Sequence, residues 1–314
     1  MKKIALLGAT GYVGRSLLRE FFIDDTKTYH LFLFSRSKER LYTHIPEIPK
    51  KIGYSIHSLD EWNKETYDVI INCTGVSSNP NSQKNPYELF KVAEEIDTLI
   101  IDYIHKHPRC LYINISSGVV YGDNFEKSVN EKTNTILPAG FSQGGEAYAV
   151  TKINAEAKHR ALSNFNIVDI RIFGFFGSLV DVDSPFLMSE IVKSIKDKHV
   201  FLTNKDDIIR DYIIAKDLLE LVCLVMKEKK INDYFDIYSK KPISKFALLD
   251  ALAKKYALIY VIFKPQTTSQ KIIIKKSYYS RSKKATDMLG YKPTRTSLES
   301  ILYELSRVFP DFKK

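Results

Sequence analysis

The chain opens on "KKIALLGATGYVGRSLLREFF", Lys2 to Phe22, where a short apolar stretch runs into three glycines and then into an amphipathic segment. That order reads as strand, tight loop and helix. Further apolar runs follow at "YHLFLFS", "YDVIINCTG", "CLYINISSG" and "FNIVDIRIFGFFG", each set apart by helix-like or loop-like sequence. Near-continuous apolar strands alternating with helices predict an α/β fold, a Rossmann doubly wound parallel sheet covered on both faces. Between about Ser178 and Asn204 the alternation gives way to mixed sequence containing Pro185. A helix-like "AKDLLELVCLVMKEKK" and a strand "DYFDIYS" come next, and from Lys240 onward the tail reads as helices and short strands. The expected division is a dinucleotide-binding domain from residues 1–177 and 208–239, with a smaller C-terminal α/β lobe from 178–207 and 240–314 that holds the substrate.

Composition narrows this picture without changing it. The 314 residues are 44% hydrophobic, enough for a substantial core, and no segment offers the roughly 18 consecutive apolar residues of a membrane span. The apolar run near the N-terminus stops at Leu7, so it does not read as an export signal, and a soluble, cytoplasmic protein is expected. Three scattered cysteines, Cys73, Cys110 and Cys223, argue against a disulfide framework and a zinc knuckle. His105 and His107 are spaced i,i+2 and fall on different faces of a helix, so no metal site is expected. The formal net charge of +10 is compatible with anionic partners, but the basic residues form no concentrated block and no nucleic-acid or membrane partner is expected.

In "GATGYVG" the glycines Gly8, Gly11 and Gly14 follow the strand directly. Such a loop makes a tight turn, lets backbone approach a pyrophosphate, and aims the next helix's N–H groups at the anion. The end of the second strand separates NAD from NADP. A carboxylate there accepts from the ribose 2′-hydroxyl, whereas a 2′-phosphate needs cations. Here the strand ends in Ser35-Arg36-Ser37-Lys38, which predicts NADP(H), with Arg36 on the phosphate and Ser35 or Ser37 donating a hydrogen bond; NAD(H) is the alternative. Asp60, after "YSIHSL", sits where such folds often hold the adenine amino group.

A tyrosine four residues ahead of a lysine occurs five times, at Tyr87/Lys91, Tyr148/Lys152, Tyr212/Lys216, Tyr260/Lys264 and Tyr279/Lys283. The spacing alone therefore selects none of them. Order does: "GATGYVG", "DVIINCTG", "ISSGVVYG", "YAVTK", "RIFGFFG", "RDYIIAKDL" and "SKKATDMLGYKP" follow one another along nearly the whole chain. In this the chain resembles the extended short-chain dehydrogenase/reductases, the NAD-dependent epimerase/dehydratase family, and among them the nucleotide-sugar 4-keto reductases. The resemblance implies catalytic roles for Ser117, Tyr148 and Lys152, since only Tyr148 has a serine-bearing strand end some thirty residues ahead of it. Residues i and i+4 share a helix face, so Tyr148 can exchange a proton with a substrate oxygen while Lys152 lowers the phenol pKa from its usual ~10 and binds ribose hydroxyls. Ser117 would hold the same oxygen. By the same resemblance Gly8, Thr10, Gly11, Tyr12, Val13, Cys73, Thr74, Gly75 and Lys152 line the cofactor. Ser117, Gly118, Tyr148, Phe175 and Arg210 line a nucleotide-diphosphate sugar, Arg210 on its diphosphate.

Two positions depart from the family. Glu94 stands where members often carry Asn, so that residue's role cannot be transferred. Gly118 and Val119 stand where dehydratases place an Asp-Glu acid and base, which disfavours elimination of water. The expected activity is NADPH-dependent reduction of a nucleotide-linked 4-keto-6-deoxy sugar for surface polysaccharide, with an NAD-dependent 4-epimerase as the alternative. A non-catalytic NADP(H) sensor is a third reading, opposed by the retention of Ser117, Tyr148 and Lys152. A homodimer built on helices near 86–107 and 146–165 is implied by resemblance.

Overall fold

The computed structural model describes residues 1–24, 29–45, 52–75, 86–137, 144–263 and 275–312. Its first part alternates strand and helix: β1 (Lys2–Leu7), α1 (Tyr12–Ile23), β2 (Tyr29–Ser35), α2 (Lys38–His44), β3 (Gly53–Ser58) and β4 (Val69–Asn72). Then come α3 (Pro86–Lys106), β5 (Leu111–Ser117), α4 (Gly144–Ala161), β6 (Asn166–Ile172) and β7 (Gly174–Phe175). The later elements are α5 (Leu187–Asp197), β8 (Phe201–Thr203), β9 (Ile209–Arg210), β10 (Tyr212–Ile213), α6 (Ala215–Val225) and β11 (Asn232–Asp236). Last are β12 (Ile243–Ser244), α7 (Lys245–Tyr256), β13 (Tyr260–Ile262), β14 (Ser277–Tyr278), α8 (Lys284–Leu289) and α9 (Ser297–Val308).

The apolar runs become strands because each is buried on both sides. Successive residues of a strand face opposite ways, and here each face fills its own core. Ile4, Leu6, Leu31, Leu33, Val69 and Ile71 pack under Leu17, Leu18 and Phe21 of α1 and Leu218 and Val222 of α6. Ala5, Leu7, Phe32, Phe34 and Ile70 pack under Ile100, Tyr103 and Ile104 of α3 and under Trp62. A run without polar alternation is what two covered faces demand.

The main sheet has seven strands in the order β11-β6-β5-β4-β1-β2-β3, every neighbouring pair parallel. This is the predicted doubly wound arrangement. After β3 the chain returns to the far side of β1, so the carboxyl ends of β1 and β4 diverge at a topological switch point, where such sheets open their ligand crevice. There the Cys73 N–H donates to the Leu7 carbonyl at 3.0 Å, which sets the β4 exit against the glycine loop.

The segment read as mixed between Ser178 and Asn204 contains a helix, α5. Its buried residues Met188, Ile191, Val192 and Ile195 stand at i, i+3, i+4 and i+7, a helical face only eleven residues long among Asp, Ser and Pro. They join Phe176, Leu248, Leu249, Leu252, Ile301 and Leu305 in a separate core between α5, α7 and α9. The predicted "AKDLLELVCLVMKEKK" helix ends earlier, at Val225.

Candidate active site

The glycine loop is shaped by contacts that admit no side chain. Gly8 has φ +76°, and a Cβ there would lie 2.7 Å from the Cys73 carbonyl carbon; one on Gly14 would lie 2.2 Å from the Gly8 oxygen. Thr10 and Gly11 complete the turn, with the Gly11 N–H donating to the Gly8 carbonyl at 2.9 Å. The N-terminal turn of α1 has no side-chain cap and no acidic residue, so its N–H groups are open to an anion, which fits a dinucleotide's pyrophosphate. Val13 packs into the sheet core. The Tyr12 side chain is committed elsewhere: its hydroxyl donates to the Gly177 carbonyl at 3.1 Å and accepts from the Gly177 N–H at 2.7 Å, and its ring meets Phe175 edge-on at 5.1 Å. Only the Tyr12 backbone is left for a ligand, and Phe175 is tied to the glycine-loop side of the crevice.

At the end of β2, Ser35 is buried and its hydroxyl accepts from the Ser37 N–H at 3.3 Å. Ser37 caps α2, accepting from the Arg40 N–H at 3.3 Å and donating to Glu39 at 2.7 Å. Lys38 pairs with Glu61. Arg36 is exposed and pairs with no carboxylate among the described residues, which makes it the uncommitted cation of this strand end. Asp60 is exposed in the 3-10 turn Leu59–Lys64, directly after β3, and the Ser58 hydroxyl holds its carboxyl below the usual range.

At β4 the exit residues Cys73, Thr74 and Gly75 lie across from Gly8. Asn72 fixes Thr74, its Oδ1 accepting from the Thr74 N–H at 2.9 Å and from Thr74 Oγ1 at 2.5 Å. Burial pushes the Cys73 thiol up to about 12, the nearby Lys152 ammonium acting against it, so the thiol is neutral.

Ser117 ends β5, and its Oγ accepts from the Val119 N–H at 3.3 Å. Lys152 on α4 donates to the Ile115 carbonyl at 2.9 Å, two residues before Ser117, and its Nζ stands 5.9 Å from the Tyr148 ring centre. One anchor thus ties the helix bearing Tyr148 to the strand bearing Ser117. The structure adds a residue the sequence reading passed over: the Tyr278 hydroxyl is 3.4 Å from Ser117 Oγ. Burial pushes the Tyr278 phenol up, Ser117 opposes this, and Tyr148 adds to it, so three polar groups of this edge feel one another. Its signal was absent from local sequence, because β14 is two residues long and reaches the site only by pairing with β9, Tyr278 opposite Arg210.

Arg210 donates through Nη1 to the carbonyls of Ile209 at 2.8 Å and Lys275 at 2.9 Å, and its guanidinium lies 5.8 Å from the Tyr278 ring centre. No carboxylate among the described residues pairs with it. Lys275 stands beside it, its Nζ on the Gly122 carbonyl at 2.8 Å and 3.6 Å from Asp123. Burial lowers the Lys275 pKa, Asp123 raises it, and Arg210 lowers it again. Two neighbouring cations with one weak acidic partner form a local positive potential that could attract an anion.

The model of the NAD dependent epimerase/dehydratase family matches residues 4–238. The chain belongs to that family, whose members are NAD(P)-dependent enzymes. No curated protein matches it significantly. Among solved structures, UDP-glucuronic acid 4-epimerase from Bacillus cereus, in complex with UDP-glucuronic acid and NAD, superposes with a TM-score of 0.76 at 17% identity, over 99% of this chain and 100% of that one. UDP-glucose-4-epimerase from Stenotrophomonas maltophila, with NAD and formylated UDP-arabinopyranose, gives 0.79 at 15%, over 98% and 97%. dTDP-glucose 4,6-dehydratase from Bacillus anthracis with NAD gives 0.76 at 12%, over 100% and 98%. At these identities the likeness is one of fold.

Against the family pattern, the two departures acquire physical reasons. Glu94 on α3 accepts from Asn154 and from Lys158, at 2.9 Å, both on α4, so it joins the two helices. Gly118 lies under Phe173: a Cβ there would be 2.4 Å from the ring. The family's Tyr-x-x-x-Lys spacing recurs in other settings here. Tyr87 is exposed at the start of α3, Tyr212 is buried in the core between α5, α7 and α9, and Tyr260 donates to Asp250 at 2.6 Å, with Lys264 outside the described residues. The Tyr279 carbonyl accepts from the Val129 N–H at 3.1 Å. No helix among the described residues is long and apolar enough to cross a membrane.

Proposed function

We propose that the protein reduces the 4-keto group of a nucleotide-linked 4-keto-6-deoxy sugar with NADPH. The observation that carries the choice of cofactor is the end of β2, where a buried Ser35 and an uncommitted Arg36 stand in place of a ribose-binding carboxylate. The bound dinucleotide supplies hydride to the sugar carbon. Tyr148 gives a proton to the sugar oxygen, Ser117 holds that oxygen, and Lys152, anchored on the Ile115 carbonyl, keeps its ammonium beside the phenol. Arg210 and Lys275 take the diphosphate. The sheet and its crossovers form the dinucleotide-binding domain, and the α5–α7–α9 core supports the sugar-binding lobe. Gly118 under Phe173 leaves no place for a dehydratase's acid, which opposes elimination.

Favouring a second reading, an NAD-dependent 4-epimerase, are the 4-epimerases among the similar structures. The two separate by cofactor traffic: a reductase consumes NADPH stoichiometrically, while an epimerase returns its hydride to the same sugar. We also propose a homodimer through α3 and α4, the pair that Glu94 and Lys158 bridge.

Absorbance at the reduced nicotinamide band, read with keto-sugar nucleotides, tests the proposal together with paired NADP(H) and NAD(H) binding constants. NADPH consumption with tighter NADP(H) binding is expected, and loss of about 100- to 10,000-fold in Tyr148→Phe. Interconversion of 4-hydroxy sugars with no net NADPH loss would hand the site to the epimerase reading.

A further inference from the structure

Beneath the crevice, six buried side chains close a ring of hydrogen bonds. His159 on α4 is fully buried, with Nδ1 2.8 Å from Asp169 on β6 and Nε2 2.8 Å from Asp97 on α3. Tyr112 donates to Asp97 at 3.0 Å, and Asn114 donates through Nδ2 to Asp169 at 2.7 Å. Asn72 closes the ring, its Nδ2 3.1 Å from Tyr112 Oη and 3.5 Å from Asn114 Oδ1. None of the six is more than 5% exposed.

The direction of every bond follows from chemistry. A carboxylate only accepts, so both His159 nitrogens must carry protons. Tyr112 spends its one proton on Asp97 and can then only accept from Asn72. Asn114 turns its amide nitrogen to Asp169, which presents its oxygen to Asn72. Both amide hydrogens of Asn72 are thereby drawn inward, and its oxygen must face Thr74. We propose that this ring, held in one proton order by a charged His159, is a positioning device for the cofactor: it fixes Asn72 as acceptor and so obliges Thr74 to meet a hydroxyl or amide donor of the dinucleotide with its lone pairs alone. The inference rests on the reading that the Gly8–Thr74 edge holds a dinucleotide.

The surroundings keep the charge. Lys158 pairs with Asp97 at 2.7 Å and Glu94 at 2.9 Å, and Arg160 with Asp169 at 3.0 Å, so three carboxylates face three cations across α3, α4 and β6. Glu156, a turn earlier, is engaged with Arg171. From β5 the Tyr112 ring meets His159 edge-on at 5.0 Å, and from β11 Asn232 donates to the His159 carbonyl at 3.1 Å. Burial alone would lower the His159 pKa, but Asp169 and Asp97 outweigh it and hold it at about 9. A pKa raised on folding stabilises below the unfolded value of roughly 6.5, and the contribution is lost as pH rises through the folded one. At neutral pH His159 therefore donates to both carboxylates, and one of these two links is lost as pH rises through about 9.

Nitrogen NMR of the whole protein should find both His159 ring nitrogens protonated at neutral pH, one proton leaving at about pH 9. Dinucleotide affinity should fall about ten-fold across that titration, one hydrogen bond's worth. In His159→Gln the pH step should vanish and neutral-pH affinity drop by a similar factor, with KM for the dinucleotide raised and kcat at saturation kept. Thr74→Val should lose as much, and the double variant no more than either alone. Should His159→Gln not fold, Tyr112→Phe removes one link while keeping the ring's packing, and about a three-fold loss coupled to Thr74→Val is expected, part of one hydrogen bond. A singly protonated His159 at neutral pH, or additive losses in the double variant, overturns the proposal. Wild-type protein that binds no dinucleotide at any pH overturns instead the cofactor reading and Thr74's part in it, while the NMR titration still decides the proton order.

Discussion

Arg171 and Arg210 both sit near the carboxyl edge of the sheet, largely shielded from water, yet they keep opposite company. Arg171 is held by Glu156 through Nε at 3.0 Å and Nη2 at 2.5 Å, lies 3.7 Å from Asp236, and has the Tyr234 ring 3.6 Å from its guanidinium carbon. Glu156 in turn accepts from Ser116 at 2.6 Å, next to Ser117. Burial alone would lower the Arg171 pKa, but Glu156 outweighs it and raises it. Among the described residues Arg210 finds only two carbonyls and a phenol ring, and burial pushes its pKa down. A buried cation supplied with its carboxylate belongs to the scaffold. One held only by carbonyl oxygens keeps its charge available, which is why Arg210, beside Tyr278 and Lys275, is the residue proposed for the substrate's diphosphate.

The sharpest way to break this contrast is Arg171→Leu, which strands Glu156 as an unpaired buried carboxylate. A loss of about 3–5 kcal/mol in unfolding free energy is expected, read by denaturant melts. Arg210→Leu should do the reverse, changing stability by less than about 1 kcal/mol while raising KM for the nucleotide sugar about 10- to 100-fold. If Arg210→Leu unfolds as readily as Arg171→Leu with its KM intact, the two arginines are alike and the diphosphate site is elsewhere. Glu94→Gln gives the lower end of the scale. Its partner Lys158 keeps Asp97, so a cost under about 1 kcal/mol is expected in thermal melts.

What could be read from sequence was what local pattern carries. The glycine loop and the Ser35-Arg36 strand end each depend on a strand meeting a loop or helix within a few residues, whereas the Ser117 to Tyr148 order, some thirty residues long, was legible only through the run of family motifs; the structure places these residues on β1, β2, β5 and α4 or at their ends. The ring could not be read. Asp97 and His159 are 62 residues apart, and an aspartate on a helix looks solvent-facing until α4 is packed against it. Tyr278 escaped for the same reason, since its place depends on the β9–β14 pairing across 68 residues of separation from Arg210 to Tyr278. In α5 the signal was present but short, and its polar neighbours masked it.

The Gly118–Phe173 contact has a meaning for how this protein could change. To place a carboxylate directly after Ser117, a mutational path must alter residue 118, where any Cβ strikes the Phe173 ring. Phe173 is itself stacked with Tyr121 and packed on Phe125 and Tyr278, so clearing room first empties an aromatic cluster that shapes the Ser117 edge. Either first step is harmful without the other. The two positions are coupled: a side chain at 118 and the present place of the Phe173 ring exclude one another.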